Sequence, residues 1–291
     1  MELRVLEYYL MVAREENITR AAEFLHITQP TLSRQLGQLE NELGVKLFTR
    51  GKHSISLTAD GLLLKRRAQE MVDMAKKTKQ ELSHEETEIG GVLSIGSGET
   101  KSMHLLADRL AEFHRQYPKV TFDIYSATAD QIKERMEKGL IDIGLLTEPV
   151  EVGKYQFIRF PEKSRWGVLV PQNSELAKKT SVTSNELLNI PLLLPGRDRV
   201  RSEVENWFEG GYEKLQIVGI YNLLNNAAIV AESLNGAVLC MEYVSQYQNL
   251  KFVPLNPKLE TGVVVVWKRN QFVSPLMKCF TEYLRKKNEV K

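Results

Sequence analysis

Between Glu23 and Glu40 the chain carries no acidic residue, and that window holds Gln29, Thr31, Ser33, Arg34, Gln35 and Gln38. Glutamine and arginine carry paired hydrogen-bonding groups that match adenine and guanine edges, and serine and threonine commonly contact phosphate. A helix presenting these residues outward could read a duplex without repelling its phosphates. The same polar face would suit any small helical domain, so the surrounding elements must decide between the two readings.

Those elements are short helices. Leu3, Leu6, Leu10 and Ala13 recur at helical spacing and predict a first helix with one buried face. Asn17 or Thr19 can cap a second helix, Arg20 to Leu25, whose Ala21 and Ala22 let a neighbour approach closely. His26-Ile27 predicts a tight turn. Thr28 is an expected N-cap, its hydroxyl accepting from the next turn, with Pro30 in the first turn where its missing N–H costs nothing. The third helix, Gln29 to Leu43, turns Leu32, Leu36, Leu39 and Leu43 inward, and Gly44 ends it. Two short helices joined by a tight turn make a helix-turn-helix, whose second helix enters a major groove.

Lys46 to Thr49 and Ser54 to Leu57 read as paired strands, with Arg50-Gly51-Lys52-His53 as the turn. The hairpin is a wing with a positive tip, suited to the phosphate backbone or a narrow minor groove.

The stretch from Ala21 to Gly61 closely resembles the DNA-binding domain of LysR-type transcriptional regulators. The resemblance rests on Ala21-Ala22, Thr28-Gln29-Pro30-Thr31-Leu32-Ser33, Leu39-Glu40, Leu43-Gly44, Leu47-Phe48-Thr49-Arg50 and Leu57-Thr58-Ala59-Asp60-Gly61. It implies that Gln29, Pro30, Ser33 and Arg34 face DNA from the recognition helix, and Arg50 and Lys52 from the wing. Thr28, Thr31, Gln38 and His53 complete the expected contact set. Length and layout fit the same family, which implies double-stranded promoter DNA as partner.

Thr58 can cap a long helix, with Asp60 favourable at its positive end. Its stripe of Leu57, Gly61, Leu64, Ala68, Met71, Ala75, Thr78 and Leu82 has heptad spacing. Leu64, Ala68, Met71, Ala75 and Leu82 are therefore the expected seam of a homodimer. Leu63, Val72 and Met74 lie off the seam, where they could widen it or face the winged domain. Packing of this helix on its own C-terminal domain is the alternative. The family uses this linker for its dimer, and the resemblance extends the expectation to a homotetramer.

Beyond the acidic run and Gly pair at 85–91, short apolar strands alternate with helical patterns, an α/β signature. Expected divisions are 1–57 for the winged helix-turn-helix, 58–88 for the linker helix and 91–291 for the C-terminal domain. The last divides into lobe I, 91–163 with 266–291, and lobe II, 164–265. Strands are expected at 92–96, 120–125, 141–146, 167–170, 192–194, 216–221, 238–241 and 262–267. Helices are expected at about 103–117, 130–138, from 185, 199–208, 222–234 and 275–285. The overall class is α/β, and two lobes with two crossovers resemble periplasmic binding proteins, as the family's effector domain does.

In such sheets ligands bind at the carboxyl ends of strands, near helix N-termini. The candidate effector residues are Ser97, Gly98, Glu99, Thr100, Lys101 and Ser102, then Ser126, Thr128 and Thr147, and across the cleft Pro195, Gly196 and Arg197. Lys101, Arg197 and Arg199 hint at an anionic effector, while Glu99 points the other way. In the family the loop before the first of these helices commonly holds the effector.

Composition sets the outer limits. The 291 residues, 43% hydrophobic and 26% charged, suit two or three ordinary globular domains. A net charge of +2 does not by itself announce nucleic acid. Cys240 and Cys279 stand alone, without CxxC or histidines at metal spacing, so neither a metal site nor a disulfide framework is expected. No signal pattern and no membrane-length apolar run is present, which points to the cytoplasm.

An enzyme is not expected. There is no GxSxG, HExxH, Walker or Rossmann fingerprint, Gly96-Ser97-Gly98 lacks its third glycine, and His104 and His114 do not converge. No cofactor is expected beyond a small-molecule effector. A ligand-independent architectural DNA binder is the other reading, but it leaves the C-terminal 200 residues without a purpose.

Overall fold

The computed structural model describes residues 1–50, 55–82, 89–243, 247–269 and 274–289. The chain divides into two compact units, Met1–Ser83 and His84–Lys291.

The first unit runs α1 (Leu3–Glu15), α2 (Ile18–Phe24), α3 (Gln29–Leu43), β1 (Phe48–Arg50), β2 (Ile55–Leu57) and α4 (Ala59–Leu82). Its core joins Leu6, Tyr9 and Val12 of α1 to Ala21 and Ala22 of α2, and Leu32, Leu36 and Leu39 of α3. The buried face of α1 is therefore rotated from the expected one. Leu3 is 48% exposed, because Tyr9 and Val12 fill the interior and the Tyr9 hydroxyl donates to the Gly61 carbonyl at 2.5 Å. At the end of α3, Leu43, expected inward, is 38% exposed.

Helix α4 belongs to this unit, and its stripe is used there. Ala68 is fully buried and Val72 is 2% exposed in the winged-domain core, with Leu64 and Met71 packed against it. Gly61 makes the approach possible, since a Cβ there would lie 2.2 Å from the Leu47 carbonyl oxygen. Of the expected dimer seam, Ala68 is thus shared with the winged-domain core, while Leu64, Met71 and Ala75 stay half-buried. The side chain of Leu82 lies outside the described residues. Leu62 and Leu63, which the heptad stripe omitted, are 60% and 52% exposed.

The second unit holds two lobes. Lobe I is a five-stranded sheet of β3 (Gly91–Ser97), β4 (Val120–Ser126), β5 (Ile143–Thr147), β6 (Tyr155–Arg159) and β13 (Val263–Lys268), in the order β4-β3-β5-β13-β6. Helices α5 (Met103–Gln116) and α9 (Pro275–Glu289) cover one face through Leu106, Phe113 and Phe280. Helix α6 (Ala129–Glu137) covers the other with Ile132 and Met136.

Lobe II is built on β7 (Ser164–Pro171), β8 (Leu192–Pro195), β9 (Ile217–Tyr221), β10 (Ala237–Met241) and β11 (Leu250–Pro254), in the order β11-β7-β10-β8-β9. Helices α7 (Asp198–Trp207) and α8 (Leu224–Ser233) pack on its opposite faces. The helix expected from Asn185 is only a 3-10 turn, Ser184–Leu187.

Three strands escaped the sequence reading: β6, β11 and the two-residue β12 (Glu260–Thr261). Strand β12 pairs with Ser164 and Arg165 at the start of β7, so the two chain crossings between lobes lie side by side. The chain returns to lobe I at Val263, where β13, the strand expected at 262–267, joins the lobe I sheet.

Candidate functional site

The first site lies on α3. Asn17 accepts a hydrogen bond from the Arg20 amide at 3.0 Å to start α2, and α2 passes into α3 through His26, whose φ is 54°. Gln29, Pro30, Thr31, Arg34 and Gln38 stand exposed, with Thr28 ahead of them, while Leu32 and Leu36 anchor the opposite face. Ser33 is half-buried. Thr28 holds the N-cap position with an extended backbone, but its hydroxyl pairs with the Thr31 hydroxyl at 2.8 Å instead of capping the helix. Gly44 ends α3 with φ 69°, a left-handed conformation that glycine adopts at little cost.

Glu40 fixes the wing to this helix. Its carboxylate accepts from the Leu47 amide at 2.8 Å, the Phe48 amide at 3.4 Å and Lys46 Nζ at 2.8 Å. Burial works to raise the Glu40 pKa, but the Lys46 ammonium and the two amides outweigh it and hold the carboxyl below its usual range. Strands β1 and β2 pair antiparallel, Phe48 opposite Leu57 and Arg50 opposite Ile55. Lys52 and His53 lie outside the described residues, as does the side chain of Arg50.

The second site is a cleft of about 540 Å³ between the lobes of the second unit. Strand ends converge on it: Gly98 to Thr100 after β3, Thr128 after β4, Thr147 closing β5, Pro195 to Arg197 after β8, and Tyr221 to Leu223 after β9. The N-termini of α6, α7 and α8 therefore meet at one place, the usual ligand position of open α/β sheets. Of the expected residues, Gly98, Glu99, Thr100, Thr128, Thr147, Pro195, Gly196 and Arg197 line the cleft.

Four others do not. Ser97 is buried and its hydroxyl donates to the Gly98 carbonyl at 2.8 Å. Ser126 is exposed away from the cleft. Lys101 points elsewhere, to Glu242 at 3.0 Å, and Ser102 pairs with Ser164 at 2.8 Å. These two line a larger hollow of about 1100 Å³ shared with Tyr243, Lys251 and Phe252. The smaller cleft has the stronger claim to be the site, because strand ends and helix N-termini converge on it.

Thr128 also has a structural duty. Its backbone N–H and hydroxyl both donate to Gln131 Oε1, at 3.2 and 3.0 Å, and its hydroxyl oxygen caps α6. Arg197, at the N-cap of α7, spans the cleft. It donates to the carbonyls of Thr147 at 3.5 Å and Pro149 at 3.1 Å, and lies 3.5 Å from Asp130.

Trp166, Val200, Ile220, Leu224, Cys240 and Met241 give the lining an apolar half that was not expected from sequence. Most sit inside strands and helices that read only as core. Burial pushes the Cys240 thiol up to about 12 and the Tyr221 hydroxyl well above its ordinary value. Both cysteines are free. Among the described residues no group of His, Cys, Asp and Glu could hold a metal ion.

Two families match the chain. The bacterial regulatory helix-turn-helix protein, lysR family, covers residues 3–62, and the LysR substrate binding domain covers 86–289. The chain therefore belongs to the LysR family of DNA-binding transcriptional regulators, and its second unit is a small-molecule-binding domain of that family. It is 30% identical over 287 residues to the uncharacterized HTH-type transcriptional regulator YybE of Bacillus subtilis, with 98% of each chain covered. It is 28% identical over 292 residues to the Hca operon transcriptional activator HcaR of Escherichia coli, with 96% of each covered. In fold it is similar to full-length CbnR solved in complex with its target DNA, at TM-score 0.76 and 21% identity, covering 98% of this chain and 99% of that one.

Proposed function

We propose that this regulator reads promoter DNA with Gln29, Pro30, Thr31, Ser33, Arg34 and Gln38 of α3, flanked by Arg50, Lys52 and His53 of the wing. The observation that carries this reading is the exposed face of α3, polar and basic, with no acidic residue between Glu23 and Glu40. Its activity is set by a small molecule held in the interlobe cleft by Glu99, Thr100, Thr128, Thr147 and Arg197. Effector binding favours one lobe arrangement, and the DNA-bearing units follow by population shift. The protein works as a homodimer or a tetramer built from it, and two recognition helices then meet a symmetric operator. The half-buried Leu64, Met71 and Ala75 and the exposed Leu62 and Leu63 are apolar residues of α4 that a partner helix can cover. Among the described residues no helix is long and apolar enough to cross a membrane. A cytoplasmic regulator without catalytic activity fits this reading best.

The test is a binding titration of the full chain on the DNA upstream of its own gene, across a salt series. Tight, salt-sensitive binding abolished by Arg34→Ala supports the reading. Binding no better than to random DNA there and in a genome-wide pull-down would overturn it. A ligand-independent architectural role would show instead as DNA binding indifferent to every metabolite that stabilises the protein.

A further inference from the structure

We infer that the effector of this cleft carries a cationic nitrogen, an ammonium or a similar group, seated on Glu99, and an apolar body. The inference deepens the proposed role of the cleft and rests on it. Glu99 lines the cleft from the loop after β3, and no ion pair to it is present among the described residues. Its Oε2 is shielded from water and has no hydrogen-bond partner among them. An ionised carboxylate can only accept, so an oxygen in that position lacks a donor. The Tyr247 hydroxyl, on which the Glu99 charge acts, is likewise buried with no hydrogen-bond partner among the described residues.

The surroundings agree. The lining carries three carboxylates, Glu99, Asp130 and Asp198, against the single guanidinium of Arg197. That guanidinium is already engaged by Asp130 and by the Thr147 and Pro149 carbonyls. Asp130 and Asp198 sit in the first turns of α6 and α7, where they offset the positive helix ends that would otherwise draw an anion. Lys101, the cation that pointed toward an anionic effector, belongs to Glu242 outside the cleft. Asp198 and Glu99 are left without an ion pair among the described residues, and of the two Glu99 has an oxygen shielded from water. Trp166, Val200, Ile220 and Met241 supply the apolar walls for the rest of the molecule.

The experiment uses the full-length protein and matched probes: benzylamine, benzyl alcohol and benzoate, and hexylamine, hexanol and hexanoate. Melting shifts and calorimetric titration should favour the amine of each trio, with affinity falling about tenfold or more in Glu99→Gln, the size of a lost charged hydrogen bond. Binding of the carboxylates in preference to the amines would overturn the inference and leave the cleft reading intact. Amine binding unchanged in Glu99→Gln would overturn it as well. A readout independent of any probe is the melting of the free protein. Glu99→Gln should melt at or above the parent, because the amide removes an uncompensated carboxylate. A lower melting temperature would mean that the carboxylate serves the fold, and the inference would fail. If no probe of either trio bound and Arg197→Ala left lobe stability unchanged, the failure would be that of the cleft itself.

Discussion

The recognition helix and the interlobe cleft are assembled in opposite ways. Everything α3 needs lies in the first unit: its turn, its buried leucines on a core shared with α1 and α4, Gly44 at its end and the Glu40 clasp to the wing. The cleft is gathered from strand ends scattered from Gly98 to Met241, brought together by two sheets and a pair of adjacent crossings. A local site tolerates loss of a distant contact but fails when its own packing is disturbed. A site built from strand ends depends on how the lobes are held, so single contacts across it tune function more than folding.

The largest effect is expected at Gly61. Gly61→Ala drives a Cβ into the Leu47 carbonyl, which is backbone and cannot swing away. It should destabilise the first unit by about 3 kcal/mol, read by urea unfolding, and abolish DNA binding while the melting response to cleft ligands persists. Loss of both responses together would show that the two sites are not independently built.

Arg197→Ala comes next. It removes the charged donor from the Thr147 and Pro149 carbonyls, at a cost of about 2 kcal/mol in the stability of the second unit. Small-angle scattering should show wider lobe separation in the free protein, with binding to non-specific DNA unchanged. An unaltered scattering profile would mean that the arginine does not hold the lobes.

Arg34→Ala should weaken operator binding by about 10-fold or more, with little change at random DNA. Equal loss on both would reassign Arg34 to phosphate contact. The smallest effect concerns Glu40, whose carboxyl is held below its usual range by Lys46 and the Leu47 and Phe48 amides. A depressed folded pKa contributes stability above the unfolded value, lost as pH falls through the folded one. Stability of the first unit should therefore decline on acidification below the ordinary carboxylate range, and Glu40→Gln should flatten that decline. An unchanged acid limb would place the linkage elsewhere.

Legibility followed the same division. The helix-turn-helix could be read to within a residue or two because caps, Gly44 and the leucine spacing are local signals. The α4 stripe could be read as apolar, but not that Leu64, Ala68 and Met71 also join the winged-domain core, because a partner helix and that core ask for the same residue types. In the cleft, hydroxyls and charges on loops were visible, yet Lys101 and Ser102 turned away. A side chain at the mouth of a helix can point into either of two hollows, and its nearest partners, Glu242 and Ser164, lie far along the chain. Trp166, Cys240 and Met241 gave no signal, because a cleft wall made of strand interior looks like core in sequence.

The sequence by itself determined the family, the recognition helix and the alternation of strands and helices, since these depend on residue type, spacing and local hydrogen bonding. The tertiary structure decided which charges meet. It paired Lys101 with Glu242, carried Arg197 to the Asp130 carboxylate, and left Glu99 unpaired at the cleft wall. Charge pairing acts through space over a few ångströms, between residues that the chain order keeps far apart.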